Sequence, residues 1–208
     1  MNVAKVLNSI IYAKNPKQPY GGATFEHGYH SLVLGGTLYK GQRDNSMRMS
    51  SIPFDFKDKV VLDVGCNVGG MLHEIAPVIR YGVGIDRDAN YINAANVIRD
   101  YNNTHNINFY SFDLSERPVS EIDSFVLLDK IDICFFLSMT MWLKNWIDIV
   151  VYLKSISDNL LIELNGSDQD EQEVVIRKMY ENVLLVYNKS LDDKGQQDRR
   201  LLLCNDIK

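Results

Sequence analysis

The sequence predicts an α/β protein with a mostly parallel, seven-stranded sheet, one antiparallel strand and helices on both faces. Three observations lead there. From Lys59 onward, apolar runs alternate with amphipathic stretches at the spacing of βαβ units. The runs are apolar almost throughout, as in Ile131-Asp132-Ile133-Cys134-Phe135-Phe136-Leu137, which burial on both faces of a parallel strand requires. Near the C-terminus, two strand-like runs follow each other with no helix between them.

Strands are expected at 59–64, 81–86, 107–112, 131–137 and 159–164, and helices at 69–79, 89–101, 119–128, 143–157 and 169–181. The crossovers between parallel strands are right-handed. The last two runs, 183–187 and 200–204, flank a polar, glycine-containing stretch and read as a hairpin that closes the sheet. Ahead of this core, residues 3–13 read as a short helix, broken by Pro16, Pro19 and Gly21-Gly22. The remainder of 1–50 is rich in Gly, Tyr and His with little sustained periodicity. Ser50 and Pro53 mark the expected boundary between an N-terminal segment (1–50) and the core (51–208).

The chain of 208 residues suits one domain, and 46% hydrophobic with 24% charged residues is ordinary globular composition. Lys plus Arg number 22 against 27 Asp plus Glu, a formal net charge of -5, which disfavours a dedicated nucleic-acid binder. Cys66, Cys134 and Cys204 are odd in number and lack Cys-x-x-Cys spacing, which argues against a disulfide framework or a zinc site. Met-Asn-Val-Ala-Lys-Val-Leu is too weakly apolar for a signal peptide, and the most apolar stretch, 131–143, is interrupted and too short to span a bilayer. A cytoplasmic protein without membrane contact is expected, as a monomer or homodimer.

The strongest local signal is Val61-Leu62-Asp63-Val64-Gly65-Cys66-Asn67-Val68-Gly69-Gly70, a strand running through a glycine-rich turn into a helix. Glycines there admit a ligand close to the backbone, and the helix start offers free N–H donors. The spacing matches neither the nicotinamide fingerprint nor the phosphate-cradling loop. It resembles the first motif of class I methyltransferases that use S-adenosylmethionine, a Rossmann-like family. The next strand ends in Asp86, where a carboxylate can accept ribose hydroxyls, and the third is followed by Asp113, which the resemblance sets opposite the adenine amine. The closing hairpin also looks like that family's.

The resemblance implies S-adenosylmethionine as cofactor, S-adenosylhomocysteine as its product, and cofactor contacts from Asp63, Gly65, Cys66, Asn67, Gly69, Asp86, Arg87, Asp113, Leu114 and Leu137. Asp63 has an alternative role in orienting the turn. Cys66 reads as a small space-filling residue that lends backbone atoms.

Tyr39-Lys40-Gly41-Gln42-Arg43-Asp44-Asn45-Ser46-Met47-Arg48-Met49 resembles the Gly-Gln-Arg…Arg stretch of small bacterial methyltransferases from surface-polysaccharide gene clusters. It also looks like the corresponding stretch of Bin3-type methyltransferases, which act on an RNA 5′ phosphate, with Gln42 in place of their Tyr. Leu137-Ser138-Met139-Thr140-Met141-Trp142 is similar to the Bin3-type Leu-Ser-x-Thr-Lys-Trp, with Met141 in place of Lys. In both groups the first segment folds over the cofactor, which implies a lid at 1–50 and adds Gln42 and Arg48 to the cofactor contacts.

Arg43 and Arg48 read as surface charges or as a clamp on an anion, because a guanidinium fork matches a carboxylate or phosphate. An anionic acceptor needs no general base, whereas a hydroxyl does. His27 and His30 are the candidate bases, and they stand with Arg43 as candidate catalytic residues. Tyr29, Ser138, Trp142 and Glu163 are the expected acceptor contacts. No Asn/Asp-Pro-Pro-Tyr follows strand four, which disfavours nucleobase amines, and no acidic cluster suggests a metal. The expected function is methylation of a small metabolite, on oxygen of a phosphorylated or sugar-containing acceptor. The alternatives are an RNA 5′-phosphate methyltransferase and a non-catalytic methyltransferase-like binding subunit.

Overall fold

The apolar runs become strands in the order in which they occur. A computed structural model of the protein describes residues 2–13, 27–124, 126 and 130–206. Its elements are α1 (Val3–Ala13), β1 (Leu32–Leu34), β2 (Thr37–Tyr39), α2 (Asn45–Ser51), β3 (Val60–Val64), α3 (Gly70–Ile75) and β4 (Tyr81–Asp86). These are followed by α4 (Ala89–Tyr101), β5 (Ile107–Ser111), a 3₁₀ helix at Val119–Ser124, β6 (Ile131–Leu137), α5 (Trp146–Ile156), β7 (Ser157–Glu163), α6 (Gln169–Met179), β8 (Asn182–Tyr187) and β9 (Leu201–Asn205).

The main sheet has seven strands in the order β5-β4-β3-β6-β7-β9-β8. Only β9 runs against the others, pairing antiparallel with β7 on one side and β8 on the other. This is the sheet expected from the sequence. Strand order reverses between β3 and β6, so their carboxyl ends flank a crevice of the kind where open α/β sheets bind ligands.

Alternate residues of each central strand feed two cores. Leu62, Val64, Cys134, Phe136, Leu160 and Ile162 pack with Ile149, Val150 and Leu153 of α5 and Ile176 of α6. Val61, Ile133, Phe135 and Leu161 pack with Met49 of α2, Met71, Leu72 and Ile75 of α3, and Ile92 and Ala95 of α4. A third cluster joins Val6 and Ile10 of α1 and Leu32 and Leu34 of β1 to Ala94 and Ile98 of α4.

Four expected helices are shorter, α6 only by its last two residues. Pro77, which cannot donate to an i−4 carbonyl, closes the first after Ile75. The stretch expected as a helix at 119–128 is 3₁₀ over 119–124, and part of its remainder lies outside the described residues. α5 starts at Trp146, because residues 139–145 form turns held by Trp142 N–H to Met139 C=O and Trp146 N–H to Leu143 C=O. The breaks expected at Pro16, Pro19 and Gly21-Gly22 also lie outside the described residues. The N-terminal segment holds more structure than its aperiodic sequence suggested. β1 and β2 form a hairpin about Gly35 and Gly36, both with positive φ (56° and 83°), as a tight two-residue turn requires. α2 is capped by Asp44, whose carboxylate accepts the Met47 N–H at 3.1 Å.

Candidate functional site

At the end of β3 the chain turns on Gly65 (φ 82°), Asn67 (φ 54°) and Gly69 (φ 73°) into α3. A Cβ on Gly65 would lie 2.3 Å from Met139 Sδ, and one on Gly69 2.4 Å from the Phe109 ring, so neither position accepts a side chain without displacement. Asn67 tolerates its left-handed backbone because its Oδ1 accepts the Val68 N–H at 2.8 Å. Asp86, ending β4, ties the loop down: its oxygens accept the N–H of Asn67 and of Asp88, each at 2.9 Å. Burial raises the Asp86 carboxyl above its ordinary value, and these two N–H donors oppose that rise.

A cavity of about 300 Å³ opens over this loop and extends along the crevice between β3 and β6. One end is walled by Gly65, Cys66, Asn67, Asp86, Arg87, Asp113 and Leu114, and its floor includes Asp63 and Leu137. Asp113 is held by Ser115, whose hydroxyl and N–H it accepts, and the hydroxyl lowers its pKa. Asp63 is 2% exposed, and its Oδ2 has no hydrogen-bond partner among the described residues. Burial pushes its carboxyl up to about 7, with Arg48 opposing the rise and Asp86 adding to it. Arg48 from α2 reaches the same floor. Its Nη2 lies 2.8 Å from Glu163 Oε1 without the alignment of a hydrogen bond, and its Nε is likewise unbonded.

The other end is walled by Tyr29, His30, Ser138, Trp142, Asn165 and Arg199, with Arg43 behind them. Beneath lies an ion cluster. Arg43 meets Glu163 through both terminal nitrogens, at 3.1 and 3.0 Å, and sets its Nε 2.9 Å from Asp192. Arg199 Nη1 donates to Tyr29 Oη (2.8 Å) and Ser138 Oγ (3.1 Å) and lies 3.5 Å from Glu163 and Asp193. Burial alone would raise the Glu163 carboxyl, but Arg43, Arg48 and Arg199 outweigh it and hold it well below the ordinary range. Ser138, with φ 59°, keeps its strained backbone by donating N–H and hydroxyl to Glu163.

Four of the residues expected at the site do not line the cavity. Glu163 is wholly buried under the arginines and does not reach the cavity wall. Gln42 turns away to donate to Asp193 Oδ1 at 2.7 Å. His27 sits outside the cavity wall, edge-on to Tyr39 with ring centroids 5.2 Å apart. Gly69 shapes the loop from below, against Phe109. Arg43 lines the cavity, but its nitrogens are engaged with Glu163, Ser190 and Asp192, so it does not fit the role of a free anion clamp. Sequence reasoning missed Arg199, Asn165 and Asn45. The first two come from loops following β-strands, where nothing in the local pattern marks them.

No family model matches the chain, and no curated protein matches it by sequence. Solved structures do match by fold. The N-terminal domain of EvdMO1 with SAH bound superposes at TM-score 0.70 and 8% identity, over 100% of this chain and 98% of that one. The bifunctional kinase-methyltransferase WbdD matches at TM-score 0.67 and 17% identity, over 96% of this chain and 46% of that one. An rRNA methylase from Streptococcus thermophilus matches at TM-score 0.60 and 10% identity, over 78% and 95%.

The fold is that of class I methyltransferases.

In this methyltransferase fold, the glycine loop, Asp86 and Asp113 stand at the carboxyl edge of the sheet, and Tyr29, His30, Arg43 and Arg48 of the N-terminal segment line the same cavity. Among the described residues, no helix is long and apolar enough to cross a membrane, and no group of three or more His, Cys, Asp or Glu side chains is placed to hold a metal ion.

Proposed function

We propose that the protein is an S-adenosylmethionine-dependent methyltransferase acting on a hydroxyl of a sugar-like small molecule. The observation that carries the cofactor assignment is the buried Asp63 Oδ2 and Arg48 Nε, both unbonded and both at the cavity floor beside the glycine loop. A buried polar atom without a partner costs about 1–3 kcal/mol. A carboxylate and a guanidinium together suit the ammonium and carboxylate of an amino-acid group, which S-adenosylmethionine carries. Asp86 retains lone pairs for the ribose diol, and Asp113 stands ready for the adenine amine.

Bound S-adenosylmethionine supplies an activated methyl group, so the chain's task is to orient an acceptor oxygen and remove its proton. The acceptor end supports a neutral group over an anion, because its guanidiniums, Arg43 and Arg199, are already matched by Glu163, Asp192 and Asp193. The Trp142 indole, 48% exposed at the rim, offers an apolar face to a sugar ring. Ser138 and Tyr29 offer hydroxyls within the same wall. A structure of the EvdMO1 domain in the presence of SAH and D-fucose, at TM-score 0.69 and 8% identity, is in keeping with this class. On this reading the acceptor is a small molecule, and the net charge of -5 supports that over RNA because it gives no general attraction to a polyanion.

Transfer of labelled methyl groups to a panel of free hexoses and deoxyhexoses, sugar phosphates and 5′-phosphorylated RNA tests the reading. Label is expected in the neutral sugars. Label confined to the RNA or to the sugar phosphates would contradict it.

A further inference from the structure

His30 is the one histidine whose ring lines the cavity, and the side chain that holds it is Asn45 of α2. His30 Nδ1 lies 2.8 Å from Asn45 Oδ1. The amide cannot be reversed without loss, because Asn45 Nδ2 donates to the Ser31 carbonyl at 2.8 Å. With the amide oxygen thus directed at the ring, Nδ1 has to be the protonated nitrogen. The second ring nitrogen, Nε2, then carries the lone pair, and it has no hydrogen-bond partner among the described residues. Both residues pack tightly on the start of α3. A Cβ on Gly70 would come within 2.5 Å of the His30 ring and 2.7 Å of Asn45 Nδ2.

We propose that Asn45 is a positioning residue that fixes His30 in the Nδ1–H tautomer, leaving Nε2 as the proton acceptor for the acceptor hydroxyl. This rests on the methyltransferase reading above. The hydroxyl proton passes to Nε2 as the oxygen's electron pair forms the new bond to the methyl carbon. The pair of the broken carbon–sulfur bond stays on the cofactor sulfur, and Nε2 later returns its proton to solvent.

Charge around the ring is consistent with a neutral imidazole at rest. Burial lowers its pKa to about 4, Asn45 opposes that fall, Arg43 and Arg48 lower it further, and Asp193 raises it. Two further titratable neighbours are Tyr29, edge-on with ring centroids 4.8 Å apart, and His73 of α3, itself lowered to about 3 by burial. An amide partner, unlike a carboxylate, orients the ring without adding a charge that would hold it protonated.

The test is ¹⁵N NMR of the histidine rings in the full chain, alongside S-adenosylhomocysteine affinity and methyl transfer to D-fucose and the other free sugars. At pH 7, His30 is expected neutral with the proton on Nδ1. Asn45→Leu should abolish that preference, and Asn45→Asp should raise the pH at which the ring titrates by about 1 to 3 and carry the acid limb of the rate profile with it. His30→Gln should cost about 10²- to 10⁴-fold in rate, with S-adenosylhomocysteine affinity kept within about threefold. An imidazolium or an Nε2–H tautomer in the wild-type protein, which needs no variant to fold, would overturn the proposal. So would a His30→Gln rate equal to wild type. Loss of S-adenosylhomocysteine binding by the wild-type protein would instead overturn the cofactor reading.

Discussion

Arg43 and Glu163 meet fork to fork, 120 positions apart in sequence, with both guanidinium ends on both carboxylate oxygens. The pair joins the N-terminal segment to the end of β7, and Ser190 and Asp192 bring in the loop between β8 and β9. Removing the carboxylate leaves buried guanidiniums uncompensated. Glu163→Gln is therefore expected to destabilise the protein by about 3–5 kcal/mol, read as a lowered urea midpoint at constant slope. An unfolding free energy within about 0.5 kcal/mol of wild type, the usual range for a surface change, would refute this role.

The same carboxylate makes an acid-sensitive contribution. Its folded-state pKa is depressed below the ordinary 4.5, so its stabilisation is complete above that value and is lost as pH falls through it toward the folded-state value. The stability gap between wild type and Glu163→Gln should stay constant from pH 7 to about 5 and narrow below. A gap that widens on acidification would carry the wrong sign.

Asp63 works in the opposite sense. Its folded pKa, raised from 3.8 to about 7, means that burying the ionised form costs stability, a cost that grows as pH rises from 3.8 to 7. An ammonium in the cavity favours that ionised form. S-Adenosylhomocysteine should bind more tightly as pH rises from 6 toward 8 and release protons at pH 6, seen by calorimetry in buffers of different ionisation enthalpy. Asp63→Asn should flatten this dependence. An unchanged pH profile in the variant would remove Asp63 from the ammonium site.

Gly69 and Gly36 separate backbone strain from crowding. Gly36→Ala meets nothing within 4 Å at φ 83°, so only the left-handed conformation costs, about 1–2 kcal/mol. Gly69→Ala adds a collision with Phe109, and the sum should reach about 2–5 kcal/mol. Thermal or urea unfolding of the two variants checks the order. Equal losses would show that Phe109 yields freely.

The parts of the site legible in the sequence are the local ones. The glycine loop, Asp86 and Asp113 each follow their own strand, so recognising the strand places the residue on the carboxyl edge. The seven strands follow from the same alternation and the closing hairpin, whereas their order in the sheet, which reverses between β3 and β6, is set by long-range pairing. The N-terminal segment was harder because its partners are remote: Tyr29 meets Arg199 across 170 positions. Glu163 was placed on the right edge, yet three guanidiniums bury it there. Gln42 and His27 stand beside cavity residues in sequence, but Gln42 is turned onto Asp193 and His27 lies against Tyr39. The hairpin at Gly35-Gly36 did carry a local signal, a glycine pair between two short apolar runs, within a stretch that otherwise shows little periodicity.

The central claim is that the crevice over Gly65 and Asp86 binds S-adenosylmethionine, and calorimetric titration with S-adenosylhomocysteine tests it most directly. One site per chain is expected. Asp86→Ala removes both the ribose acceptor and the anchor of the Asn67 and Asp88 N–H groups, and should weaken binding by about 1.5–3 kcal/mol, roughly 10- to 150-fold. No binding by the folded wild-type chain, or an equal affinity in a folded Asp86→Ala variant, would contradict the account.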